Sequence, residues 1–186
     1  MNAIQLLKKY VGEKNETRFL LMVHSAIVAS CALSIARKNP GLHADKDFLY
    51  EAAMLHDIGI IYVNAPDIGC YGKHPYIMHG ILGAEIMIKE GFPKHARVCE
   101  THVGAGITAD EIRKSGLPLP EKDYLPVSIE EKIICVADKF YSKSPDKICH
   151  VRSIAEAEKM ISHYGNEGLH RFREMCDLLN LITRPC

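Results

Sequence analysis

The sequence predicts an all-α protein. Three observations carry that reading. Apolar residues recur at helical spacing along most of the chain, three Ser/Thr-x-x-Glu capping boxes stand ahead of such stretches, and no segment alternates as a half-buried strand would. At 186 residues the chain is long enough to bury one core of its own.

The elements follow in order. A short amphipathic helix covers about 2–11, and a long one, about 16–38, ends before Asn39-Pro40-Gly41. Within the second, Phe19 to Ala36 carries no formal charge over 18 residues, close to the ~20 that span a bilayer. It also holds His24 and three serines, and no comparable segment accompanies it. We therefore read a helix buried at the centre of a helical protein, and no membrane partner.

Asp45 or Asp47 opens a third helix, "DKDFLYEAAMLH", which stops at Asp57-Ile58-Gly59. Residues 60–75 have Gly, Pro or Asn every few positions and read as a loop. Helical spacing returns over 75–91, with Pro75 near the first turn and Gly91 past the end, and "PKHARVCETHVGAG" holds another short helix. The boxes Thr108/Glu111, Ser128/Glu131 and Ser153/Glu156 open helices at about 109–115, 129–142 and 154–164. The Pro-rich stretch 117–126 is a loop, and a last helix covers about 167–181.

Composition narrows the function. Lys plus Arg equals Asp plus Glu at 23 each, which argues against a long nucleic acid or an anionic membrane held by bulk charge. The cysteines at 31, 70, 99, 135, 149, 176 and 186 are odd in number and never form a CxxC pair. Reduced thiols and a cytoplasmic location are expected, and the charged start "MNAIQLLKKYVGEKNE" does not look like a signal peptide.

Ten histidines are many for this length. His24 lies in the uncharged helix, His56 and Asp57 close the third, His79 sits among Ile77, Met78, Ile81 and Leu82, His102 precedes two glycines, and Asp138 interrupts "KIICVADKF". Helix periodicity would fill these six positions with apolar residues. Any one alone reads as a hydrogen-bonded core residue. Together they need partners, and no matching set of buried Lys or Arg is visible, so a shared cation would satisfy them all. Mixed imidazole and carboxylate ligands suit Fe, Mn, Co, Ni or Zn better than Ca or Mg. His56 and Asp57 are adjacent, about 100° apart on a helix, so both reach one ion only where the helix ends. Gly59 is expected to supply that ending.

His24, then His56-Asp57, then Asp138 on successive helices resembles the HD superfamily of metal-dependent phosphohydrolases, down to "MLHDIG" at 54–59. The similarity spans roughly 18–142, which implies a single HD-type helical bundle over 1–186 with helices at 150–182 packed on its core. "RFLLMVHS", "HGILGAEIM", "ETHVGAGIT" and "EEKIICVADK" look most like a small uncharacterised HD subgroup and the symmetrical diadenosine tetraphosphate hydrolases. Ile60 after HDIG and the lack of a GYP motif set the chain apart from the cyclic-dinucleotide branch.

The resemblance implies that His24, His56, Asp57 and Asp138 hold one ion, and that His79 and His102 hold a second with Asp57 bridging. It also points to Arg18 and Lys139 as phosphate contacts. His74, in the loop before His79, is a candidate to protonate the leaving oxygen. The expected activity is hydrolysis of a phosphoester or phosphoanhydride in a small nucleotide-like substrate, with Asp57, His74 and Lys139 as the catalytic set. Two other classes stay open, a non-catalytic nucleotide sensor on the same scaffold and a di-iron oxygenase. A homo-oligomer is also left open.

Overall fold

Helices dominate the architecture. The computed structural model describes residues 2–12 and 16–181. Its helices are α1 (Ala3–Val11), α2 (Glu16–Lys38), α3 (Lys46–Leu55), α4 (His79–Lys89), α5 (Pro93–Thr101), α6 (Ala109–Ser115), α7 (Ile129–Lys139), α8 (Ile154–Ser162) and α9 (Asn166–Leu178). The all-α expectation holds, with one small addition. Inside the stretch read as a loop, β1 (Asn64–Ala65) and β2 (Cys70–Tyr71) form a two-stranded antiparallel ribbon. Two residues per strand are too few to leave an alternation in the sequence.

The caps explain where the helices begin. Asp45, not Asp47, opens α3, accepting from the Asp47 and Phe48 amides at 3.1 and 3.0 Å. The boxes at Thr108 and Ser153 close reciprocally. At Ser128 only half forms, because the Glu131 carboxylate accepts instead from the Val127 amide at 2.9 Å.

The long helix α2 lies against α3 and α7. Thr17–Lys38 is long and apolar enough to cross a bilayer by length and composition, but here Val28, Ala32 and Ile35 are fully buried in the protein core. α4 and α5 cross at close range: a Cβ on Gly80 would sit 2.6 Å from the Cys99 carbonyl oxygen. That crossing brings the start of α4 beside the end of α5.

One expectation is corrected. The turn at 56–57 does not depend on a special glycine conformation, since Gly59 has ordinary φ. Gly59 matters for packing: a Cβ there would lie 2.1 Å from the His79 carbonyl oxygen and 2.4 Å from the Gly83 amide nitrogen. His95 is buried with Phe48 and Phe92 at ring distances of 4.8 and 5.6 Å.

Candidate metal centre

Six side chains from five segments meet in the core. His24 comes from the middle of α2, His56 and Asp57 from the turn after α3, His79 from the first residue of α4, His102 from the cap of α5, and Asp138 from the end of α7. All six are buried.

Three of the rings are held in the same way. The Nδ1–H of His56 donates to the Ala53 carbonyl, that of His79 to Tyr76 and that of His102 to Cys99, each at 2.7 Å and each three residues back. A ring that donates through Nδ1 turns Nε2 inward, where a divalent ion in place of a proton would take its lone pair, the usual support behind a metal-binding histidine.

The inward atoms fall into two groups that share Asp57. In the first, His24 Nε2 lies 2.9 Å from Asp138 Oδ1 and 3.3 Å from Asp57 Oδ2, while His56 Nε2 lies 3.1 Å from Asp57 Oδ2 and 3.5 Å from Asp138 Oδ1. In the second, His79 and His102 place Nε2 at 3.4 and 3.3 Å from Asp57 Oδ1 and 3.0 Å from each other. One donor atom from each member of a group lies within 4.8 Å of every other.

Elementary chemistry decides what such groups need. With both Nδ1–H bonds spent on carbonyls, neutral His79 and His102 point two lone pairs at each other and at a carboxylate oxygen. Nothing there donates. His56 Nε2 and both Asp57 oxygens also lack a well-aligned hydrogen bond. Buried acceptors left so cost about 1–3 kcal/mol each. A divalent cation in each group would satisfy them, so the residues present fit the metal that their chemistry suggests.

Charge within the cluster is tightly coupled. Burial works against the Asp57 and Asp138 carboxylates, yet neighbouring cationic groups hold both well below the usual range. For Asp57 these are His56 and Lys143, for Asp138 Lys139 and Lys143. Burial alone would push His56 down, but Asp57 and Asp138 lift it to about 9. Burial wins at His79, which falls to about 3 despite Asp57.

A family model for the HD domain matches residues 21–142, the span that contains all six side chains. The chain belongs to the HD domain family. Among relatives of this HD protein, the uncharacterized protein MJ0778 of Methanocaldococcus jannaschii is 37% identical over 139 residues, covering 73% of this chain and 71% of that one. A tRNA (cytidine(56)-2'-O)-methyltransferase of Picrophilus torridus is 35% identical over 152 residues, covering 81% of this chain and 38% of its own length. That of Thermoplasma volcanium is 35% identical over 66% of this chain and 32% of its own. The HD protein thus spans only about a third of either methyltransferase. The fold matches the HD domain of the Listeria monocytogenes phosphodiesterase PgpH with a TM-score of 0.50 at 18% identity, over 94% of this chain and 97% of that one.

The other sequence-picked residues of the HD protein lie at different distances from the cluster. Lys139 is buried and its ammonium sits 2.6 Å from Asp138 Oδ2, so it braces that carboxylate. Arg18 turns toward the α1–α2 connection and donates to the Gly12 carbonyl at 2.9 Å. His74 is exposed, with its backbone paired to Tyr62 and Asn64.

Sequence reasoning missed two residues, one at the centre and one behind it. Lys143 Nζ lies 2.7 Å from Asp57 Oδ2 and 3.5 Å from Asp138 Oδ1. Its charge also acts on the Tyr76 hydroxyl, and the Tyr76 ring lies against His79 at 4.6 Å. Arg171 braces the wall behind His102, donating to the Ala105 and Gly106 carbonyls at 3.2 and 2.9 Å and to Glu111 at 2.8 Å.

Proposed function

We propose that the HD protein hydrolyses a phosphoester or phosphoanhydride bond of a small nucleotide-like substrate, using two divalent transition-metal ions. The observation that supports it best is the pairing of donor groups, one of His24, His56, Asp57 and Asp138, the other of Asp57, His79 and His102. Asp57 bridges them through its two oxygens. Ions held there would acidify a water toward neutral pH and offset charge on phosphoryl oxygens.

The chain's own residues do the rest. The three carbonyl-locked rings fix the donor atoms before any ligand arrives. Lys139 keeps Asp138 ionised and in place. Lys143, more exposed than Asp57 or Asp138, supplies the cation for phosphate oxygens that the ions do not take. His74 in its loop and the Tyr76 hydroxyl beside Lys143 are the two groups suited to return a proton to the leaving oxygen. Equal numbers of acidic and basic residues favour a small substrate over a long polyanion.

Two relatives are named as tRNA methyltransferases, and a second reading takes from those names only tRNA as the bearer of the phosphate. A buried centre admits a chain end more readily than an internal phosphate.

Hydrolysis is tested by metal-loaded protein against nucleotides, dinucleoside polyphosphates and tRNA bearing terminal phosphates. Release of phosphate or nucleotide from the small compounds is expected. Release from tRNA alone would move the assignment to the second reading, and binding without turnover would leave a sensor. Within that assay, Lys143→Met should lower kcat/KM about ten- to a hundredfold, the scale of one charge-assisted hydrogen bond, while the bound metal is retained. Unchanged kcat/KM would remove Lys143 from phosphate binding.

A further inference from the structure

Next to the ribbon lies a concavity. It holds about 370 Å³ and is lined by Tyr10, Thr17, Tyr62, Gly69, Cys70 and Tyr71, among others. That volume falls within the ~300–1,000 Å³ range of small-molecule sites.

The ribbon is what builds it. β1 and β2 pair Asn64 with Tyr71 and Ala65 with Cys70. The pairing continues outward, with the Gly72 amide on the Val63 carbonyl at 2.8 Å and the Lys73 amide on the Tyr62 carbonyl at 3.0 Å. These bonds hold Tyr62 and Tyr71 on adjacent backbones, both at the same cleft. The Thr17 hydroxyl donates to the Gly69 carbonyl and ties the ribbon to α2.

The aromatic rings are left in water. Tyr71 is 77% exposed and Tyr62 41%. One exposed ring needs no explanation, but Tyr62 and Tyr71 at one concavity offer a stacking platform, with the half-buried Tyr10 held at its side by Glu90. Cys70 also lines the concavity, and the charges of Asp57 and Lys143 act on its buried thiol.

We propose that this cleft binds the nucleobase of the substrate, stacked on Tyr71 and Tyr62. Base binding stands on the cleft alone, while the base's place in the substrate rests on the phosphohydrolase reading. Stacking tolerates any base, so the site recognises nucleosides as a class and not a sequence.

The test uses the full chain and nucleosides without phosphate. Adenosine, cytidine and ribose are titrated into the protein, and binding is followed by calorimetry and by shifts of the tyrosine ring resonances. Adenosine and cytidine should bind saturably and ribose should not. Tyr71→Ala should weaken nucleoside binding about tenfold or more, and Tyr71→Phe should preserve it. The high exposure of Tyr71 makes both variants safe for folding, which circular dichroism checks. Nucleosides that bind no better than ribose, or that bind Tyr71→Ala as tightly as the natural protein, overturn the proposal. Hydrolysis of nucleotides without nucleoside binding would remove the cleft alone, whereas nucleoside binding without any hydrolysis would leave the cleft and remove the phosphohydrolase assignment.

Discussion

Asp57→Ala is expected to strip the protein of divalent metal and to abolish hydrolysis while leaving the helices in place. Asp57 belongs to both donor groups, one oxygen facing His24 and His56, the other His79 and His102. Removing it takes a ligand from each ion at once. Turnover should fall by about three orders of magnitude or more, since both the activated water and the charge offset go together. The helices should form but melt at a lower temperature, because the Lys143 ammonium 2.7 Å away loses its buried partner, at a cost of about 3–5 kcal/mol. Metal analysis, a hydrolysis assay and circular dichroism read the three effects separately. Retention of metal at the natural level would show that Asp57 is not the bridge.

Gly59→Ala should damage the molecule by another route. The added methyl would meet the His79 carbonyl oxygen at 2.1 Å and the Gly83 amide nitrogen at 2.4 Å, and both atoms are backbone. No side chain can rotate away, so α4 must shift as a body. Overpacking of this kind costs about 3 kcal/mol, which for this chain length lowers Tm by about 10 °C. Because His79 opens α4, the same shift displaces one donor of the second group. Loss of stability should therefore come with loss of metal. Gly41→Ala is the control, since a methyl there meets nothing within 4 Å. A Gly59→Ala protein as stable as the control would contradict the close packing described for α4.

The two variants show which parts of the site were legible in the sequence. His24, His56, Asp57, His79, His102 and Asp138 stood out because each breaks an apolar helical pattern, and local rules fail where function overrides them. The chemistry of the donors was visible, but their mutual distances were not. Gly59 drew attention for the wrong reason: a backbone turn was expected, and a helix contact was found. That contact joins Gly59 to His79 and Gly83, far enough along the chain that no local pattern records it.

Lys143 and Tyr76 were invisible for a related cause. "YSKSP" reads as a solvated turn, and only the path of the chain after α7 returns its lysine to Asp57. Tyr76 precedes α4 by a short 3₁₀ turn, so its carbonyl can hold His79 while its hydroxyl meets Lys143. The ribbon at 64–71 was too short for a strand signal, yet it positions the tyrosines of the adjoining cleft. Function here gathers at helix ends and in turns, where residue spacing carries the least information.

The most direct test is a count of ions. Protein stripped with a chelator, then titrated with Mn²⁺, Fe²⁺, Co²⁺, Ni²⁺ or Zn²⁺, should bind about two per chain, and replacement of both His79 and His102 by Ala should reduce that to about one. Less than one ion per chain with every metal tried would mean that these imidazoles and carboxylates do not form a metal centre.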